Sequence, residues 1–258
     1  MFDEKEKIAD AINILGNFCG VRDIDGLTRE NLKNNFNLEK VDVAVLFGGS
    51  IIAGGDIFAA AMRNNFAKKY IIVGGAGHTT ESLREKMRGV LKKNFSPEIT
   101  EAELFNNYLE EKYNLRTDFL ESESTNCGNN ITFLLSLLEK NNLPCENILL
   151  IQDATMQRRM AATLQKYFGE KLIINFAAYK VKVIAENDEL KFEKIPAGMW
   201  NLERYAQLLT GEIFRLQDNS EGYGPKGKNF IAHVEISEKV LSAFNFLKKY
   251  FEIRAAVK

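Results

Sequence analysis

The chain has 258 residues, 45% of them hydrophobic, with 34 basic against 35 acidic side chains. It is long enough to bury a full core, and no global field favours nucleic acid or an anionic membrane surface. Its longest apolar runs, such as Val41 to Phe47 and Ile148 to Ile151, fall far short of the roughly 18 to 20 residues that cross a bilayer. The charged opening from Met1 to Lys7 lacks the basic and then apolar order of a secretory signal. Cys19, Cys127 and Cys145 are odd in number and have no His cluster beside them. A cytoplasmic, globular protein with reduced thiols, no metal site, no membrane span and no nucleic-acid partner is expected. Nothing in the sequence indicates a homodimer, although one is compatible with it.

In chain order, Ile8, Ala11, Ile12 and Leu15 mark one face of a helix over residues 5–18. Val41 to Phe47 is nearly all β-branched or apolar and ends in Gly48-Gly49, as a parallel strand buried on both faces would. There follow an Ala-rich helix near 56–68, a strand at 70–73, a Gly-rich turn and a helix near 80–92. Helices at 101–113 and 126–140, a strand at 147–152, a helix at 155–168 and a strand at 172–178 complete the alternation. Such alternation implies crossovers onto one sheet. After about Tyr179 the character changes to a helix at 200–216, a polar Gly-rich loop at 217–228 and a closing helix at 237–251. The expected architecture is α/β, a Rossmann-like parallel sheet flanked by helices over 1–185, with a smaller helical C-terminal lobe over 186–258. The lobe would pack with the first helix and wall one side of a cleft.

Four polar turns fall where the carboxyl ends of the strands should lie. Gly48-Gly49-Ser50, with Gly54-Gly55 beyond it, offers bare backbone, either as a ligand approach or as a plain flexible turn. Gly74-Gly75-Ala76-Gly77-His78-Thr79-Thr80 precedes a helix that Thr79 or Thr80 would cap, and forms a candidate anion cradle. Thr80 replaces the third glycine of a dinucleotide fingerprint and no Gly-Lys-Ser/Thr follows, so NAD and P-loop signatures are absent. His78 is a candidate acid, base or hydrogen-bond donor. The run from Glu123 to Asn130, including Ser124, Thr125, Asn126 and Cys127, is denser in polar groups than one helix cap needs. Cys127 at a helix start is a nucleophile candidate ranked below a ligand contact. Finally, Asp153 ends a buried strand before Arg158 and Arg159, candidates to fork onto a carboxylate or phosphate, one of which is expected instead to lie on an exposed helix face paired with Glu side chains.

Together, Gly74-Gly75-Ala76-Gly77-His78, Ser124-Thr125-Asn126-Cys127-Gly128, Gln152-Asp153 and Thr155-Met156-Gln157-Arg158-Arg159 resemble the YdcF family. This is a group of bacterial α/β proteins that also includes SanA-like and ElyC-like members. The resemblance covers nearly the whole chain, and Trp200, Glu203-Arg204-Tyr205, Leu208 to Glu212 and Gly222-Tyr223-Gly224-Pro225 extend it through the tail. It implies a Rossmann-like domain with a helical C-terminal part, and binding of S-adenosylmethionine without an assigned reaction. The carboxylate of that ligand would suit a helix start, its ribose Asp153 or Glu101, and its adenine an apolar slot. The chain departs from the family pattern at Asn129, where many members carry Glu, and has Met156 where the broader family has His.

The candidate ligand contacts are therefore Gly48, Gly49, Ser50, Gly75, Gly77, His78, Thr79, Glu101, Ser124, Thr125, Asn126, Asp153, Gln157, Arg158 and Arg159. The leading expectation is a binder of S-adenosylmethionine or a related adenosine ligand. The alternatives are a transferase or hydrolase of a phosphorylated or nucleotide-like substrate, with His78, Glu101, Cys127 and Asp153 as candidate acid, base or nucleophile, and a non-catalytic ligand sensor.

Overall fold

A strand buried on both faces must divide its side chains between two apolar layers, and β1 (Val41–Phe47) does so. Val43, Val45 and Phe47 join one cluster with Ile71, Val73, Ile148 and Leu150, while Ala44 and Leu46 join the other with Ile72, Leu149 and Ile151. The computed structural model describes residues 4–77 and 79–253.

The remaining strands of the main sheet are β2 (Ala67–Val73), β3 (Phe119–Glu121), β4 (Asn147–Ile151) and β5 (Leu172–Asn175). They lie in the order β3-β2-β1-β4-β5, and every neighbouring pair is parallel. The expected Rossmann-like α/β arrangement is thus what forms. The chain leaves β1 for β2 on one side and returns to β4 on the other, so strand order reverses between β1 and β4. A crevice opens at the carboxyl ends of strands on either side of such a reversal.

Helices make the crossovers. α3 (Ala53–Arg63) joins β1 to β2, α4 (Thr80–Leu91) and α5 (Glu101–Tyr113) join β2 to β3, α6 (Cys127–Lys140) joins β3 to β4, and α7 (Gln157–Phe168) joins β4 to β5. α6 and α7 supply Ile131, Leu134, Met160 and Leu164 to one layer. α3 and α5 supply Phe58, Leu104, Phe105 and Tyr108 to the other. The start of α5 is set by a full capping box: Thr100 accepts from the Glu103 backbone N–H, and the Glu103 carboxylate accepts from that of Thr100.

The opening helix α1 (Glu4–Cys19) packs against both tail helices, α8 (Leu202–Leu216) and α9 (Glu238–Leu247). Its buried Ile8, Ile12 and Leu15 share one apolar cluster with Tyr205, Leu209, Phe244 and Leu247. Gly16 leaves room for the Tyr205 hydroxyl, which a Cβ would meet at 2.6 Å.

The structure also corrects the sequence reading. The helix expected over 56–68 starts at Ala53 and stops at Arg63, because Asn65 turns left-handed (φ 52°) and buried Phe66 leads into β2. The short helix α2 (Arg29–Phe36) was not expected; it buries only Leu32 and so shows little apolar period. The three-residue strand β3 was equally hidden, and the strand expected to reach 178 ends at Asn175. The segment before the tail helices carries an antiparallel hairpin, β6 (Val183–Glu186) and β7 (Glu189–Phe192), around Asn187 and Asp188, both at positive φ as a two-residue hairpin turn requires. The closing helix ends at Leu247 rather than 251. Among the described residues, no helix is long and apolar enough to cross a membrane.

Candidate functional site

The turns that follow β1, β2 and β3 interlock at the carboxyl edge of the sheet. The Gly48 N–H donates to Val73 O at 2.7 Å and the Gly74 N–H to Glu121 O at 2.9 Å, so the ladder continues past the strand ends. The start of α5 docks on the same turn, where the N–H groups of Glu101 and Ala102 donate to Gly75 O and Gly74 O at 3.0 and 2.8 Å. A Cβ on Gly75 would overlap the carbonyl oxygens of Ser124 and Ser122, and one on Gly48 would overlap the Glu101 side chain. Gly75 is required by backbone crossing backbone and Gly48 by the Glu101 side chain packed on it, and the crossing leaves bare main chain facing the crevice. Ser124 completes the lock by accepting from the Gly75 N–H at 3.2 Å, and Asn126 caps α6 through Asn129 N–H.

Above this edge lies a cleft of about 580 Å³. Its floor is Gly48, Gly49, Gly74, Gly75, Gly77, Thr79 and Glu101, with Ser124, Thr125, Asn126 and Cys127 on one side and Gln152 and Met156 on the β4 side. The far wall comes from α7 (Arg159, Thr163, Tyr167), α8 (Arg215) and the loop after it (Tyr223, Phe230, Ile231).

Glu101 is the one acidic side chain among the described residues that line the cleft. Its Oε1 accepts from the hydroxyls of Thr80 at 2.9 Å and Thr79 at 3.3 Å. Burial pushes its carboxyl above the usual range, against the downward pull of those two hydroxyls and of Arg84. Neither threonine caps α4 through its side chain; instead the Thr80 hydroxyl accepts from the Gly77 N–H at 2.7 Å, so the expected cap is replaced by a link across the turn. Because the native carboxyl holds its proton more tightly than the unfolded chain, Glu101 lowers stability as pH rises from about 4.5 through the raised native value. Glu101→Gln keeps the acceptor and removes the titration. The stability of this variant relative to the parent is expected to increase between pH 4 and pH 8 in thermal unfolding; an equal difference at both pH values would contradict it.

The two neighbouring arginines separate. Arg159 lines the cleft and is held by Glu212 through Nε at 2.5 Å and Nη2 at 3.0 Å, whereas Arg158 turns to α1, donating to Phe18 O and stacking over the Phe18 ring. Burial alone would lower the Arg159 pKa, but the thiol of Cys127 and the carboxylate of Glu212 outweigh it and raise it. Cys127 is thus at the first turn of α6 with a guanidinium beside it.

Three further candidates frame the cleft without lining it. Asp153 Oδ1 accepts from the Tyr179 hydroxyl (2.6 Å) and from Thr155 N–H and hydroxyl (2.8 Å each), and its Oδ2 accepts from Trp200 Nε1 at 3.1 Å. Gln157 is fully buried and ties Gln152 N–H, Leu150 O and Asn175 together. Ser50 is buried with its hydroxyl directed at Thr79 O. His78 lies outside the described residues.

Apart from Arg159, the side chains of the far wall were not among the candidates. Tyr223 lies in a tail motif visible in the sequence, whereas Thr163, Tyr167, Arg215, Phe230 and Ile231 carry no local signal of their place. No protein-family model matches the chain.

Proposed function

We propose that the chain binds a small molecule in this cleft, with S-adenosylmethionine or a related adenosine compound as the ligand class. The observation that carries the reading is a cleft of about 580 Å³ at the carboxyl edge of the sheet, next to the point where strand order reverses. That is the place where open parallel sheets take ligands, and the volume lies inside the range of about 300–1,000 Å³ typical of small-molecule sites. Bare glycine backbone and the start of α6 suit a carboxylate, and Glu101 suits ribose hydroxyls. The same resemblance that suggested this ligand rests partly on residues of these turns.

The reading is tested by calorimetric titration with S-adenosylmethionine, S-adenosylhomocysteine, ATP and NAD, on the parent and on Gly77→Val. Gly77 lines the cleft and has room for a side chain, its nearest neighbour being Thr125 O at 3.6 Å from a built Cβ. Micromolar binding of the first two compounds is expected, weakened at least about tenfold in the variant with its Tm unchanged. Silence from both, with ATP or NAD bound, would replace this ligand class with a phosphorylated or nucleotide-like substrate.

A further inference from the structure

We infer that the far wall is a ring-binding platform, on which Tyr167, Tyr223 and Phe230 take the planar apolar part of the ligand while the glycine turns and Glu101 take its polar end. The inference rests on the cleft reading above and adds the orientation of the ligand and the residues that select for a ring.

Among the described residues, few large hydrophobic side chains face solvent, yet Tyr167 at 50% and Phe230 at 55% are two of them, and both line this cleft from separate elements. The others so exposed, Val90, Leu120, Ile195 and Tyr250, do not line it. Apolar surface left open and gathered in a concave wall marks a place built for an apolar group.

The wall is also ordered. The Tyr223 N–H donates to Arg215 O at 2.8 Å, and Tyr223 O accepts from the N–H groups of Phe230 and Ile231 at 2.8 and 3.1 Å. The Tyr223 and Phe230 rings meet edge to face, 5.2 Å apart at 76°. Lys166, next to Tyr167 on α7, donates to the backbone and side-chain oxygens of Asn229, next to Phe230. The Tyr223 and Phe230 rings are therefore set against each other before any ligand arrives, and the Lys166–Asn229 link ties the helix of Tyr167 to their loop, which lowers the entropic cost of stacking there.

The cleft is asymmetric. The floor opposite is glycine, threonine and a carboxyl, with no aromatic ring among its described residues. The two guanidinium groups of the wall, Arg159 and Arg215, are engaged by Glu212, so a ligand with one planar and one polar end has a favoured direction in such a cleft.

The test is titration of S-adenosylmethionine, adenosine and methionine into the parent, Phe230→Ala, Tyr167→Ala and Phe230→Leu. Both rings are half exposed, so their removal leaves the core packing in place, and circular dichroism checks the fold. Each alanine variant is expected to bind S-adenosylmethionine and adenosine about tenfold more weakly, with methionine unchanged and Phe230→Leu in between. Unchanged affinity for both adenosine compounds in both alanine variants would overturn the platform and leave the cleft reading intact. If the parent binds no adenosine compound, the adenosine reading fails by itself. Phenol and indole titrations followed by NMR then decide the platform: binding that both variants lose supports it, and equal or absent binding overturns it.

Discussion

Asp153→Ala is expected to lower the unfolding free energy by about 3–5 kcal/mol while leaving the ligand affinity of the folded protein within about threefold of the parent. The Asp153 carboxylate gathers donors from three segments: the Tyr179 hydroxyl beyond β5, the backbone and hydroxyl of Thr155 before α7, and the indole of Trp200 before α8. Tyr179 is buried, and burial together with the Asp153 charge pushes its phenol well up, so it stays a donor that needs an acceptor. Hydrogen bonds to a charged group contribute about 1.5–3 kcal/mol each, and an orphaned buried donor costs about 1–3 kcal/mol, with strong non-additivity in one cluster. Asp153→Asn, which keeps one acceptor oxygen, should lose about half as much. Urea unfolding of the three proteins measures the effect, and titration of the folded variants separates frame from contact. A tenfold loss of affinity in Asp153→Asn without loss of stability would show that the carboxylate meets the ligand.

The Arg159–Glu212 pair should give an effect of similar size by another route. Their side chains are 10% and 3% exposed, and Glu212 also accepts from Arg215 at 3.3 Å. Glu212→Ala strands a buried guanidinium and is expected to cost about 3–5 kcal/mol, a fall in Tm of roughly 10 °C. Replacing the pair together, Arg159→Met with Glu212→Leu, should recover most of that loss, since apolar groups of similar volume need no partner. A double-mutant cycle by chemical denaturation checks both statements, and additive costs would contradict them. Because the pair joins α7 to α8, both of which line the cleft, the double variant should also remove the Arg159 cation from the far wall, leaving that of Arg215, while keeping the shape of the wall.

Much of the fold was legible because its signals are local. The seven residues of β1 are apolar along their length since both faces meet helices, and the 101–113 helix carries its own capping box. What was missed lacked such periodicity. The β3 strand is three residues long with Leu120 partly open to solvent, and α2 buries one side chain. The hairpin after Tyr179 did leave a sign, Asn187-Asp188 between two short runs, that the polar character of its strands obscured.

The site divides along the same line. Glycines and hydroxyl residues at strand ends can be read from the chain, because a strand followed by a polar turn announces the edge of a sheet; Gly48, Gly75, Thr79 and Ser124 meet at the floor as a result. Which of Arg158 and Arg159 faces the cleft depended on α1 and α8 claiming opposite sides of α7. Asp153 and Gln157 looked like ligand contacts by type and position; in the structure neither lines the cleft, and they bond to Tyr179, Trp200, Leu150 and Asn175, partners brought to them by other segments of the fold. Tyr167 and Phe230 became neighbours of the glycine turns only through the packing of the tail against α7. Periodicity and turn chemistry are written residue by residue, so the sequence determined the four longer strands of the sheet, the helices that cross between them and its polar edge. The assignment of buried donors to acceptors and the choice of a far wall are pairings between distant segments, and those the tertiary structure decided.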